Sequence, residues 1–364
     1  MTSIGTTRKK PELSHRERVR LALERKPTDR PPIAVACAEL SPAAYEDFDS
    51  YLRKNLNTTA EQYLDPILDM HDFRPRYIGP PLEPGRDIWG VGRKTVRYGR
   101  VEELVLDYHP LAGARTVDDI LAHPWPSPDW FDYGSIPAQL DGINRGEEYC
   151  IYTLIGNLWE KSYYMRGMEQ LMMDLVLNPE LVQAIMGKVT GFVLEHTRRV
   201  LEAADGRLDV VFTADDMGTQ EGLLMSVEMW REFIRPWHVL QNGLIHDFGC
   251  RVMYHSDGAV MELVPHLIGM GIDILQALQF DARGMDPARL KDDYGDRLCF
   301  EGGVSVQRTL PFGTAEDVRR EVTSLLTTLG RNGGYIVGPS HEVPAGTPPE
   351  NILAMFETAR GYRV

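Results

Sequence analysis

Residues 298–341, LCFEGGVSVQRTLPFGTAEDVRREVTSLLTTLGRNGGYIVGPSH, contain a complete strand, helix and strand. Leu298–Phe300 and Tyr335–Val337 are short apolar runs of the kind that suits strands covered on both faces. Between them Thr314 and Asp317 stand at capping-box spacing. Val318, Val322, Leu325, Leu326 and Leu329 follow at helical spacing, and Gly330 closes the helix. Such a crossover returns the chain to a parallel neighbour. The same rhythm runs outward toward the N-terminus, with strands predicted at Leu208–Thr213, Arg251–Tyr254 and Ile272–Leu275. Toward the C-terminus Thr347 is predicted to cap a last helix, with Pro348 in its first position and Ile352, Leu353 and Phe356 on its inner face. The fold class expected is α/β, a (β/α)8 TIM barrel in a single domain.

The first half departs from this rhythm. Proline and glycine interrupt residues 75–135, and RKTVRYG with VEELVLDYH reads as a hairpin, so an excursion on or beside the barrel is expected there. No fixed-period repeat suggests a second architecture. Residues 1–11 are polar, basic and aperiodic, which predicts a flexible tail before a barrel domain at 12–364. Ser14 and Glu17 then form a capping box that opens a helix carrying Val19, Ala22 and Leu23.

Composition narrows the function. The 364 residues carry 53 acidic and 39 basic side chains, a formal charge of −14 that argues against nucleic acid as a partner. No apolar run approaches the roughly 18 residues of a membrane span, and MTSIGTTRKK lacks the apolar stretch of a secretory signal, so a cytoplasmic protein is expected. Cys37, Cys150, Cys250 and Cys299 are too far apart for a metal clip or a small disulfide framework, and read as buried small hydrophobes.

In parallel α/β folds ligands bind at the carboxyl ends of the strands. There LDVVFT runs into Ala214-Asp215-Asp216, RVMY into His255-Ser256-Asp257-Gly258, and DIL into Gln276 with Gln279 beyond. LCF runs into Glu301-Gly302-Gly303, and YIV into Gly338-Pro339-Ser340-His341. Residues i and i+2 of a strand share a face, so His255 and Asp257 can converge, with His341 arriving from another strand. One His, Asp, His set of N and O donors suits zinc with an open position; the competing reading is a pair of histidines hydrogen-bonded in a polar pocket. Asp216 and Glu160 are the acid–base candidates, although DDMGTQEG also reads as a helix-capping turn and Glu160 as a first-turn helix acid. Gln276, Gln279, Glu301 and Ser340 are candidate substrate contacts. Met165, Met168, Met172 and Met173 read as core packing. Gly90-x-Gly92 lacks the surroundings of a dinucleotide site.

Several segments in order resemble the uroporphyrinogen decarboxylase superfamily, specifically its corrinoid-dependent methyltransferase-like members. They are SHRERVRLALERKPTDRPPI, LWEKSYYMRGMEQLMMDLVLNPE, DDMGTQEGLLMSVEMWREFIRPWH, YHSDG, FEGGVSVQRTLPFGT and GGYIVGPSHEVPAGTPPENILAMFE. In those methyltransferases the segment similar to YHSDG carries a His-x-Cys pair and the one similar to GPSHEVPAGTP a third zinc-binding cysteine. The corresponding residues here are His255, Asp257 and His341, so the resemblance implies a harder N/O site. Asp216 falls where the family's strand-end aspartate falls. True decarboxylases resemble one another in an Arg-rich segment after the first strand; AVACAELSPAAYEDF has no basic residue and three acids, which disfavours a polycarboxylate substrate.

The resemblance thus implies a metal-assisted methyltransferase. It would move a methyl group from a small O-, N- or S-methylated compound to a thiol or to a corrinoid carried by a partner protein, with Zn2+ as Lewis acid. Arg166 and Arg251 are the residues available to neutralise one anionic group on the substrate. A metal-free lyase acting on a small acid through Asp216 and His255 is the alternative, and a non-catalytic ligand-binding protein a third. A homodimer is compatible with all three.

Overall fold

The structure, a computed structural model, describes residues 13–36, 38–99 and 101–363; the expected tail at 1–11 and Cys37 lie outside the described residues. Seven parallel strands form one curled sheet in the order β1 (Met70–Asp72), β6 (Cys150–Leu154), β7 (Val210–Ala214), β8 (Arg251–His255), β9 (Ile274–Gln276), β10 (Cys299–Val304) and β11 (Tyr335–Pro339). The crossover helix between the last two, Ala315–Thr328, is capped by Thr314 and Asp317 as their spacing requires, and buries Val318, Val322, Leu325 and Leu326. The last helix begins one residue later than expected, at Pro349. Thr347 does not cap it, because its hydroxyl donates to the Pro344 carbonyl at 2.8 Å.

The edge strands β1 and β11 are linked through residues 32–34. The Val337 amide donates to Pro32 O at 2.9 Å and the Ala34 amide to Val337 O at 3.1 Å, while the Asp69 amide donates to Ile33 O at 2.8 Å. One isolated bridge, Ile33 to Val337, therefore occupies the place where an eighth strand was expected. Pro31 and Pro32 carry no N–H and cannot extend a ladder, which limits this segment to a bridge. Asp69, fully buried, anchors the junction: it accepts from Ile33 N, Arg18, Arg30 and His15 at 2.6–2.8 Å, tying the helix His15–Leu23 to the amino-terminal side of the sheet.

The predicted excursion is present. β3 (Gly92–Tyr98) and β4 (Val101–Tyr108) form an antiparallel hairpin, and β2 (Arg76–Tyr77) pairs with β5 (Phe131–Asp132). Cys150, Cys250 and Cys299 are buried and unpaired, as expected of small hydrophobes. No helix among the described residues is long and apolar enough to cross a membrane.

Strand periodicity positions the site. Inward-facing Met253, Ile274, Cys299 and Ile336 belong to the apolar cluster inside the sheet. Two residues further along each strand, on the same face, stand His255, Gln276, Glu301 and Gly338. The interior is thus apolar toward the strand starts and polar toward their carboxyl ends. Gly338 is needed in that upper layer, since a Cβ there would lie 2.2 Å from Ala34 O and 3.2 Å from a Glu301 carboxyl oxygen.

Candidate active site

The carboxyl ends of β8 and β11 bring together the three predicted metal ligands. One ligand atom from each of His255, Asp257 and His341 lies within 4.8 Å of the others. His341 Nε2 is 3.7 Å from Asp257 Oδ2, and His255 Nε2 is 3.9 Å from Asp257 Oδ1. Asp216 completes the group, with Oδ1 3.5 Å from His255 Nε2 while accepting from the Asp257 amide at 2.8 Å. The loops carrying these two aspartates are in contact. Gly258 has a φ of +85°, and a Cβ there would meet the Gly218 backbone at 2.5 Å.

The donor set fits a divalent cation on two observations. Asp257 Oδ1 is buried without a hydrogen-bond partner among the described residues, and burial raises the Asp257 pKa although the neighbouring histidines pull it down. His255, 5% exposed, uses Nδ1 to meet Gln276 Oε1, so its Nε2 faces the Asp216 and Asp257 carboxylates. Oxygen acceptors turned toward a ring nitrogen require a cation between them, a proton or a metal. Zinc suits two imidazoles and a carboxylate.

Glu160 stands in the first turn of the helix Leu158–Arg166 that follows β6, buried and hydrogen-bonded by Asn157 Nδ2, with Tyr164 OH 3.4 Å away. Burial, then the charges of Asp216 and Asp215, push its carboxyl up to about 7. Asp215, fully buried, holds that helix in place by accepting from the Trp159 and Glu160 amides at 2.8 Å and meeting His238 Nε2 at 2.6 Å.

The four predicted substrate contacts are placed differently from one another. Both ends of the buried Gln276 amide are engaged, one by His255 and the other by Ala36 O at 2.9 Å. Gln279 accepts from the Gly258 amide at 2.8 Å and from Gln220 at 3.3 Å, bracing the loop after β8. Glu301 lies wholly inside the sheet, its carboxyl beside the Gln276 side chain and the Ala36 backbone, and burial pushes it well above the usual range although both neighbours pull it down. Ser340 Oγ is buried and unpartnered among the described residues. Neither predicted arginine reaches the site. Arg166 is paired with Asp174 at 2.8 Å and with backbone carbonyls of residues 111–114, and Arg251 begins β8 at the opposite end of the strand. The cation at the mouth is Arg74. It lines a cavity of about 160 Å³ with Glu39, Tyr152, Leu154, His341 and Glu342.

Sequence reasoning missed Asp215 as an anchor, His238 and Arg74. His238 carried a signal: with Gln241, Asn242 and Ile245 it occupies the buried stripe of the helix Arg235–Asp247, and polar residues on such a stripe mark a network. Arg74 carried none, since its position depends on the excursion.

A curled parallel sheet with a polar, carboxylate-rich site at its strand ends defines a TIM-barrel-like α/β protein. The model of the family described as "Uroporphyrinogen decarboxylase (URO-D)" matches residues 145–362, and the chain belongs to this family. Uroporphyrinogen decarboxylases of Azoarcus sp. (strain BH72) and Pseudoalteromonas translucida (strain TAC 125) are each 24% identical, over 194 and 197 residues. These stretches are 50% of this chain in both cases, and 49% and 50% of the relatives, so the chain spans about half the length of the curated relatives it matches. Among solved structures, a methyltransferase from Methanosarcina mazei shares the fold, with a TM-score of 0.66, 16% identity and coverage of 96% of this chain and 99% of that one.

Proposed function

We propose that the protein is a metal-assisted methyltransferase. It would move a methyl group from a small O-, N- or S-methylated compound to a thiol or a corrinoid protein in the cytoplasm, on a complete (β/α)8 barrel whose eighth position is residues 32–36. The observation that carries this reading is the convergence of His255, Asp257 and His341 within 4.8 Å, with His255 Nε2 turned toward carboxylates. The name of the Methanosarcina mazei fold relative agrees with it. Bound zinc would supply Lewis acidity to the heteroatom that loses its methyl group.

The chain's own residues supply the rest. Glu160, protonated up to about 7, is the proton donor to the departing heteroatom. Asp216 fixes the Asp257 backbone, and with it the approach of the carboxylate. Glu39 and Glu342 make the mouth a poor host for a porphyrinogen with several carboxylates, because Arg74 faces them alone among the cavity residues. The test is metal analysis of untagged protein, followed by demethylation assays with methylated amines, ethers and thioethers, using a thiol or a reduced corrinoid as acceptor. Stoichiometric zinc with methyl transfer is the expected result; no metal under replete conditions overturns it.

A second reading is favoured by Glu160 itself. A carboxyl held near 7 beside Asp216 and His255 is also the equipment of a metal-free lyase acting on a small acid. Turnover that persists in chelator would select it.

A further inference from the structure

We infer that Gln276 is a positioning residue that locks His255 in the Nδ1–H form and so reserves Nε2 for a cation. The reasoning begins at Ala36, whose carbonyl can only accept. Gln276 approaches it at 2.9 Å, so the end of the amide facing Ala36 must be NH2. The reverse orientation would press two acceptor oxygens together in a wholly buried place. The oxygen of the amide is therefore turned to His255 Nδ1, which must supply the hydrogen.

An imidazole free in water prefers its proton on Nε2. Here that proton is moved to the other nitrogen by a chain of one carbonyl and one amide, and the Nε2 lone pair faces Asp216 and Asp257 at 3.5 and 3.9 Å. The strands dictate the arrangement. His255 and Gln276 are register partners on neighbouring β8 and β9 and share the inner face, so their side chains meet without a loop between them. Both ends of the Gln276 amide are thus engaged, and the Glu301 carboxyl lies beside it as well.

The inference rests on the metal reading for its purpose but not for its test. Nitrogen-15 NMR of the metal-free protein at mildly alkaline pH reads the tautomer of His255 directly, with half-buried His341 as internal reference. The parent should show Nδ1–H at His255. Gln276→Met, of similar length but unable to accept, should return the proton to Nε2 and weaken zinc binding roughly ten- to a hundredfold. Gln276→Glu keeps an oxygen beside Nδ1 and can donate its own proton to Ala36 O, so it should retain the Nδ1–H form. The inference is overturned if the neutral ring of the parent carries its one proton on Nε2, if that of the Met variant keeps it on Nδ1, or if that of the Glu variant loses it from Nδ1. A parent with Nδ1–H that binds no zinc overturns the metal reading alone.

Discussion

At the scale of single residues, the two histidines of the site are unequal. His341 is 42% exposed at its side chain, so His341→Ala should remove metal while shifting the melting temperature little. His255 is buried, and its loss leaves Gln276 Oε1 without a donor, a penalty of about 1–3 kcal/mol. His255→Ala should therefore lose metal and stability together, and metal content set against melting temperature separates the two variants. Glu160 makes a pH-dependent prediction. Its folded carboxyl stays protonated up to about 7, above its ordinary 4.5. The fold thus retains a proton that the unfolded chain releases, and this contribution to stability is full below 4.5 and lost as pH rises through about 7. Glu160→Gln should flatten that part of the stability profile. It should also lower turnover by about 10²–10⁴ and remove the fall in rate as pH rises through about 7, which a pH–rate profile checks.

At the scale of elements, the helix Leu158–Arg166 is aimed by one carboxylate. Asp215 fills two orphan amides at the start of that helix and meets His238 from the helix Arg235–Asp247. Asp215→Ala strands all three partners in a buried place. It should destabilise the protein by at least about 3 kcal/mol in denaturant unfolding and misplace Glu160. The capping-box helices at Ser14 and Thr314 were legible in the sequence because capping is local, set by residues three apart. The start of the last helix was not: Thr347 has the right residue type, but its hydroxyl is committed to Pro344. Asp215 likewise stands in DDMGTQEG with nothing local to mark it as an anchor, and only the position of a helix about 50 residues earlier in the chain separates its role from that of Asp216.

At the scale of the whole molecule, a metal that binds only the fold must also stabilise it. Free zinc at about a hundred times its dissociation constant should add roughly 2–3 kcal/mol, so chelation should lower the melting temperature and zinc should restore it. An unchanged melting temperature with and without chelator would count against the site. Substrate charge belongs to this scale as well. Uroporphyrinogen should give no detectable turnover, because the acidic groups of the mouth cavity come from separated segments, Glu39 and Glu342, with Arg74 their one cationic neighbour in it.

The sequence by itself determined the parallel α/β alternation and the polar strand ends, because strand periodicity and helix caps are written in neighbouring residues. From these followed His255, Asp257, His341 and Asp216 on one side of the sheet. Only the tertiary structure decided that residues 32–34 link the sheet edges by a single bridge, that Arg74 and not Arg166 or Arg251 stands at the mouth, and that Gln276 is engaged by Ala36 and His255. Each of these depends on segments far apart in the chain meeting across the sheet interior. Hydrogen-bond partners at such distances are selected by packing, and no local spacing encodes them.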